Sequence, residues 1–110
     1  MKYTISSEES MKNNTTSFEN YVYIVENGLY YVFIGITGDK NNADKIKGYY
    51  KELGYDTYVK EGNISNTKFI RELENYDVLL SQTNEKELIK NVIKQVLKRY
   101  GELVDGKYKD

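Results

Sequence analysis

The side chains best suited to touching a ligand in this chain are aromatic and basic groups at alternating positions: Tyr21, Tyr23, Tyr31, Phe33 and Tyr58, with Lys60 beside the last. Rings offer apolar faces to C–H surfaces, phenol hydroxyls form hydrogen bonds, and an ammonium group supplies a polar contact at the rim. Carbohydrate grooves are commonly built from that combination. The same rings could stack nucleic-acid bases, but holding a phosphate backbone needs an excess of cations. Here 16 Lys and Arg face 17 Asp and Glu, a formal net charge of -1. That balance argues against nucleic acid as a partner and against a polybasic membrane-surface contact.

Catalytic chemistry is poorly supplied. The chain has no His, which removes the commonest general base and metal ligand, and no Cys, which removes thiolate nucleophiles and Cys-ligated zinc. Glu72, Glu74 and Asp77 share a helical stretch with Lys and Arg, so surface ion pairs account for them. No spacing resembles a calcium-binding loop. The segment "GITGDK", Gly35–Lys40, precedes a helix as phosphate-cradling loops do. It lacks the Gly-Lys-Ser/Thr ending of one such loop and the third glycine of the other. Gly35 then serves close packing and Gly38 a turn. The expectation is a non-enzyme with no catalytic residue, no metal and no cofactor.

These groups must be positioned by one small domain, since 110 residues leave little room for two. Residues 1–19, rich in Ser, Thr, Asn and Glu, read as a flexible polar tail or linker. The domain spans 20–104, and 105–110 read as a disordered C-terminal tail. Two strands, Tyr21–Val25 and Leu29–Ile36, form a hairpin around Glu26-Asn27-Gly28. A two-residue turn would set Val25 opposite Tyr30 and Tyr23 opposite Val32. A three-residue loop with Gly28 left-handed would set Tyr23 opposite Tyr31 and Val22 opposite Val32. The second choice separates aliphatics from rings and is preferred, because it suits a sheet covered on one face.

A helix follows, capped by Asp39 or Asn41, with Ala43, Ile46, Tyr50 and Leu53 on one stripe and Gly54 as its left-handed stop. "YDTYVKE" is a third strand with Thr57 and Val59 on one face and Tyr58 and Lys60 on the other. Two more helices carry Phe69, Ile70, Leu73, Tyr76 and Leu80, then Leu88, Ile89, Val92, Ile93, Val96, Leu97 and Tyr100. The last begins with Asn84 and Glu87 as a capping box. Its doubled stripe is wider than one sheet face requires. The helix is therefore either wedged within its own fold or part of a homo-oligomeric contact. The order β-β-α-β-α-α describes an α+β, two-layer fold: a three-stranded antiparallel sheet, the Tyr21 strand central, with helices on one face.

Tyr30, Val32, Gly35, Asn42-Ala43, Leu53, Gly54-Tyr55 and Val59 fall in the order and spacing of one family motif. The stretch Tyr30–Glu61 thereby resembles the first half of the SPOR (sporulation-related) domain. The resemblance covers about 30 of the 110 residues, and its motif is moderately specific. It implies a ferredoxin-like sheet backed by helices. It also implies a non-catalytic module binding peptidoglycan glycan strands across the open sheet face, in cell division or sporulation. Tyr21, Tyr23, Tyr31, Phe33 and Tyr58 would stack on sugars, with Lys60 at the edge. Two departures stand out. The family's strand glutamine aligns with Phe33, whose ring cannot replace an amide's hydrogen bonds. Helical sequence also replaces the family's second β-α-β half after Glu61.

Two alternatives accompany this reading. The wide-striped last helix would bury the aromatic face if it folded over it, sparing the chain a large exposed apolar patch. A degenerate SPOR-like domain would then act as a protein–protein interaction or assembly module. No run approaches the roughly 20 apolar residues of a membrane span. The expected location is the cell envelope or septum if the chain is a fragment of an anchored protein, and the cytoplasm if it is whole.

Overall fold

Short-range alternation in the first residues builds the centre of the main sheet. In Lys2–Ser7, strand β1, Tyr3 and Ile5 point one way and Thr4 and Ser6 the other, and Ile5 is wholly buried. The structure, a computed structural model, describes residues 2–7, 21–26, 29–62, 64–103 and 107–109. After β1 come β2 (Tyr21–Glu26), β3 (Leu29–Phe33), β4 (Gly35–Thr37), α1 (Lys40–Glu52), β5 (Thr57–Gly62), α2 (Thr67–Ser81), α3 (Lys86–Leu103) and β6 (Lys107–Lys109). The fold is α+β. One three-stranded antiparallel sheet has the order β4-β1-β5, and a second has the order β3-β2-β6.

Strand β1 is antiparallel to both neighbours, Ile5 lying opposite Gly35 on β4 and Val59 on β5. β4, α1 and β5 therefore form a split crossover with one strand inserted between its parallel partners. The inserted strand is Lys2–Ser7, not the Tyr21 strand expected there. Those six residues thus leave the polar tail to which composition assigned them, while the rest of that tail lies outside the described residues. Strand β6 likewise falls inside the expected C-terminal tail and pairs with β2, Val22 opposite Tyr108.

The hairpin takes the register that sequence reasoning ranked second. Tyr23 lies opposite Val32, Val25 opposite Tyr30 and Glu26 opposite Leu29, leaving two residues between the strands. The conformation of Asn27-Gly28 itself lies outside the described residues. Segregation of rings from aliphatics favours the longer loop only where a single hairpin face is dry. In fact Val22 and Val32, which the register sends to opposite faces, are 0% and 4% exposed. Both faces are covered at these positions, so the pressure to segregate is absent.

A bend at Ile34 separates β3 from β4 and passes the chain from one sheet to the other. Ile34 N–H donates to Ile5 O at 2.8 Å, and the buried Tyr50 hydroxyl donates to Ile34 O at 2.7 Å. Burial pushes the Tyr50 phenol well above its ordinary pKa. Gly35 lets α1 sit tightly on the sheet: a Cβ there would stand 2.8 Å from Ile46 Cγ2 and 3.4 Å from Ile5 Cδ1. Both isoleucines are buried and branched at Cβ, so neither can swing aside. Gly35→Ala is expected to destabilise the fold by about 2 kcal/mol through overpacking, read as a lower urea midpoint with an unchanged slope.

The helices follow their stripes closely. Asp39 caps α1, its side chain accepting from Asn41 N at 2.8 Å, and Gly54 stops it with φ 93°. Ala43, Ile46 and Tyr50 are buried, while Leu53 at the C-cap is exposed. Asn66 caps α2, accepting from Phe69 N at 2.9 Å. α3 begins at Lys86, and Thr83 rather than Asn84 organises its approach, the Thr83 hydroxyl accepting from Glu85 N at 3.1 Å. Its doubled stripe, from Ile89 to Tyr100, is buried within the single chain, with Leu88 left exposed. From Ile89 onward the stripe is thus satisfied inside the fold.

Candidate functional site

The candidate residues are divided between the two sheets. β5 pairs with β1, whereas the hairpin belongs to the other sheet, so Tyr58 and Lys60 are separated in topology from Tyr21, Tyr23, Tyr31 and Phe33. The expected adjacency required the Tyr21 strand at the centre of a single sheet, and β1 takes that place. Tyr21 is half-buried against the core and opens β2. Phe33, also half-buried, meets Tyr100 of α3 edge-to-face, the ring centroids 6.2 Å apart at 83°. Tyr23 and Tyr31 hold their places in the ladder, opposite Val32 and Ile24; their side chains lie outside the described residues.

Tyr58 and Lys60 are different. They stand two residues apart on β5, directly opposite Ser6 and Thr4. The other face of this sheet, with Ile5, Gly35 and Val59, receives Ile46 of α1. Tyr58 is 41% exposed and Lys60 is exposed, while Ile36, across β1 on the same face, is buried. That face is therefore closed at its β4 side and accessible at its β5 side. A ring, an ammonium group and the Thr4 hydroxyl, which donates to Lys60 O at 3.4 Å, share the accessible part.

A second constellation escaped sequence reasoning. Asp77 of α2, read as a surface carboxylate, instead pins the β4–α1 connection. Its Oδ1 accepts from the hydroxyl of Thr37, which is wholly buried, and its Oδ2 accepts from Gly38 N at 2.8 Å. Asn42 Nδ2 donates to Asp77 O at 3.0 Å and reaches Oδ1 at 3.5 Å. Ser81 Oγ links Asp77 O at 2.8 Å to Asn42 Oδ1 at 3.2 Å. Burial raises the Asp77 pKa, and the hydrogen bonds from Thr37, Gly38 and Asn42 oppose that rise. Both oxygens are engaged by neighbours of its own chain, so the cluster is a latch rather than a reactive carboxylate. The available signal was Thr37-Gly38 and Asn42 surrounding a helix start, but its partner lay about 40 residues away.

The neighbouring polar groups are also engaged. Glu72 accepts two bonds from Arg99, at 2.6 and 3.0 Å, which holds its carboxyl below the usual range. Lys45 Nζ donates to Leu80 O in the last turn of α2 and to Thr83 O just beyond it, at 2.8 and 2.7 Å. A shallow groove of about 220 Å³ lies between α1 and the start of α3, bordered by Tyr49 and Ile89 and by Lys86 and Glu52, paired at 3.0 Å. Among the described residues no acidic cluster could hold a metal ion, and no helix is long and apolar enough to cross a membrane. Comparison with protein-family models, with curated proteins and with solved structures finds no match.

Proposed function

We propose that the chain is a non-catalytic, SPOR-like module that binds peptidoglycan glycan strands in cell division or sporulation, at the septum or elsewhere in the cell envelope. The reading is supported by the motif resemblance over Tyr30–Glu61 and by the α+β crossover that carries it. The observation that carries the site is the pair Tyr58 and Lys60 on the accessible part of the β5 face. Tyr58 would stack on a sugar ring, Lys60 would bond to its hydroxyl or carboxylate groups, and Tyr21 and Phe33 would support the fold instead of the ligand. The domain is expected to sediment with amidase-treated sacculi at micromolar concentration. Tyr58→Ala should weaken that binding at least tenfold with the circular-dichroism spectrum unchanged. A folded protein that stays in the supernatant would remove this reading.

A protein–protein assembly module is the second reading. It is favoured by Val78 and Leu79, consecutive residues of α2 that are 55% and 52% exposed. Replacing both with lysine leaves sacculus binding intact under the first reading. Under the second, sacculus binding is absent from the start.

A further inference from the structure

The geometry points to a second copy of this chain as the partner of the outer edge of β5, joined by antiparallel pairing about a twofold axis at Val59. Ile5 O accepts from Ile34 N–H, so the Ile5 peptide groups face the β3–β4 side of β1. Backbone groups alternate sides along a strand, so those of Thr4 and Ser6 face β5 and bond with their opposites, Lys60 and Tyr58. The amide groups of Thr57, Val59 and Glu61 are then turned to the other side, away from β1. Among the described residues β5 pairs with β1 alone, leaving a row of outward donors and acceptors.

Two features select the partner and the register. A twofold axis perpendicular to the sheet keeps each face on its own side, so odd positions must meet odd positions and even must meet even. Centring on Lys60 would oppose Lys60 to its own copy, like charge against like. Centring on Val59 instead opposes Lys60 to Tyr58 of the second copy, a cation over a ring, in the closer, non-hydrogen-bonded type of pair. The same register sets Thr57 opposite Glu61. The two three-stranded sheets would become one of six strands.

The test uses the full chain. Sedimentation velocity at rising concentration is expected to show a species of twice 12.9 kDa. Val59→Pro removes the central outward N–H without touching the β1 ladder, and should raise the dimer dissociation constant at least tenfold. A crosslink provides a readout that does not depend on that variant folding. The chain has no cysteine, so Val59→Cys introduces a single thiol at the axis. Its Cα would lie about 5.5 Å from its counterpart, within disulfide reach. Mild oxidation should convert this variant to a covalent dimer while Val78→Cys on α2 stays monomeric. A wild-type chain that remains monomeric at about 1 mM, or equal crosslinking of the two cysteine variants, overturns the proposal.

Discussion

Phe69→Ala is expected to lower the stability of the fold by about 4 kcal/mol, out of the roughly 5–15 kcal/mol typical of a domain. Phe69 lies on α2, wholly buried, and its ring meets Tyr100 of α3 at 5.1 Å and 64°. Tyr100 in turn meets Phe33 of the hairpin. Three elements distant in sequence are thus joined through three rings, and the middle ring is held from both sides. Truncation at Phe69 removes the apolar area of the ring and leaves a cavity bounded by helices that cannot close without moving the hairpin. The loss of one edge-to-face contact adds to this. Urea denaturation measures the total, and amide exchange across Leu29–Phe33 should accelerate, because Tyr100 loses the support that holds it against Phe33. Phe69→Leu, which fills most of the volume, is expected to cost less than half as much. A loss below 1 kcal/mol for the alanine variant would mean that the ring does not join these elements.

The same trio explains why part of the fold was legible in the sequence and part was not. The stripes of α1, α2 and α3, the Asp39 cap, the Gly54 stop and the Thr57/Val59 against Tyr58/Lys60 alternation are set within a few residues, and they appear in the structure except for Leu53 and Leu88, which end up exposed. They are local consequences of helical and strand periods. The position of β1 is not local. Six residues, Lys2–Ser7, carry only Tyr3 and Ile5 as large apolar groups, and the polar residues behind them outweigh that alternation in any average. What makes the segment a central strand is the gap between β4 and β5, which a β-α-β crossover leaves open. The hairpin register failed for a related reason, since sorting rings from aliphatics presumes one covered face, and Val22 and Val32 are both buried. Of the six candidate contact residues, Tyr58 and Lys60 stand together on an accessible face, and Phe33 lies against α3. Side-chain type was readable at every one of these positions, but adjacency depended on which strand filled the centre.

Asp77→Ala is expected to cost about 3 kcal/mol, the second largest loss, through partners left without an acceptor. Thr37 is wholly buried, and Gly38 N–H points at Asp77 Oδ2, so neither recovers a full bond from solvent. Asn42 and Ser81 keep the Asp77 backbone carbonyl and lose less. Asp77→Asn retains the shape but sets an amide donor against one of two existing donors, and should cost about half as much. The pH dependence separates the two variants further. Burial holds the folded pKa of Asp77 above its usual 3.8, so the folded chain binds this proton more readily than the unfolded chain does. The Asp77 contribution therefore rises as pH falls through that raised value, and levels off below the unfolded one. Asp39 adds like charge to this corner, and Lys2 Nζ lies as near as Asp77 Oδ2, each 3.1 Å from where a Gly38 Cβ would stand. Glu72 runs the other way: Arg99 lowers its folded pKa, so its contribution is present above the unfolded value and is lost as acid protonates the folded form. Comparing wild type with Asp77→Asn cancels the Glu72 effect and isolates Asp77. The stability advantage of the wild type is expected to widen between pH 7 and pH 4 in urea titrations. A constant difference would show that the hydrogen bonds from Thr37, Gly38 and Asn42 cancel the effect of burial, and a narrowing one that they outweigh it and hold the Asp77 carboxyl below its usual range; either would overturn the raised folded pKa.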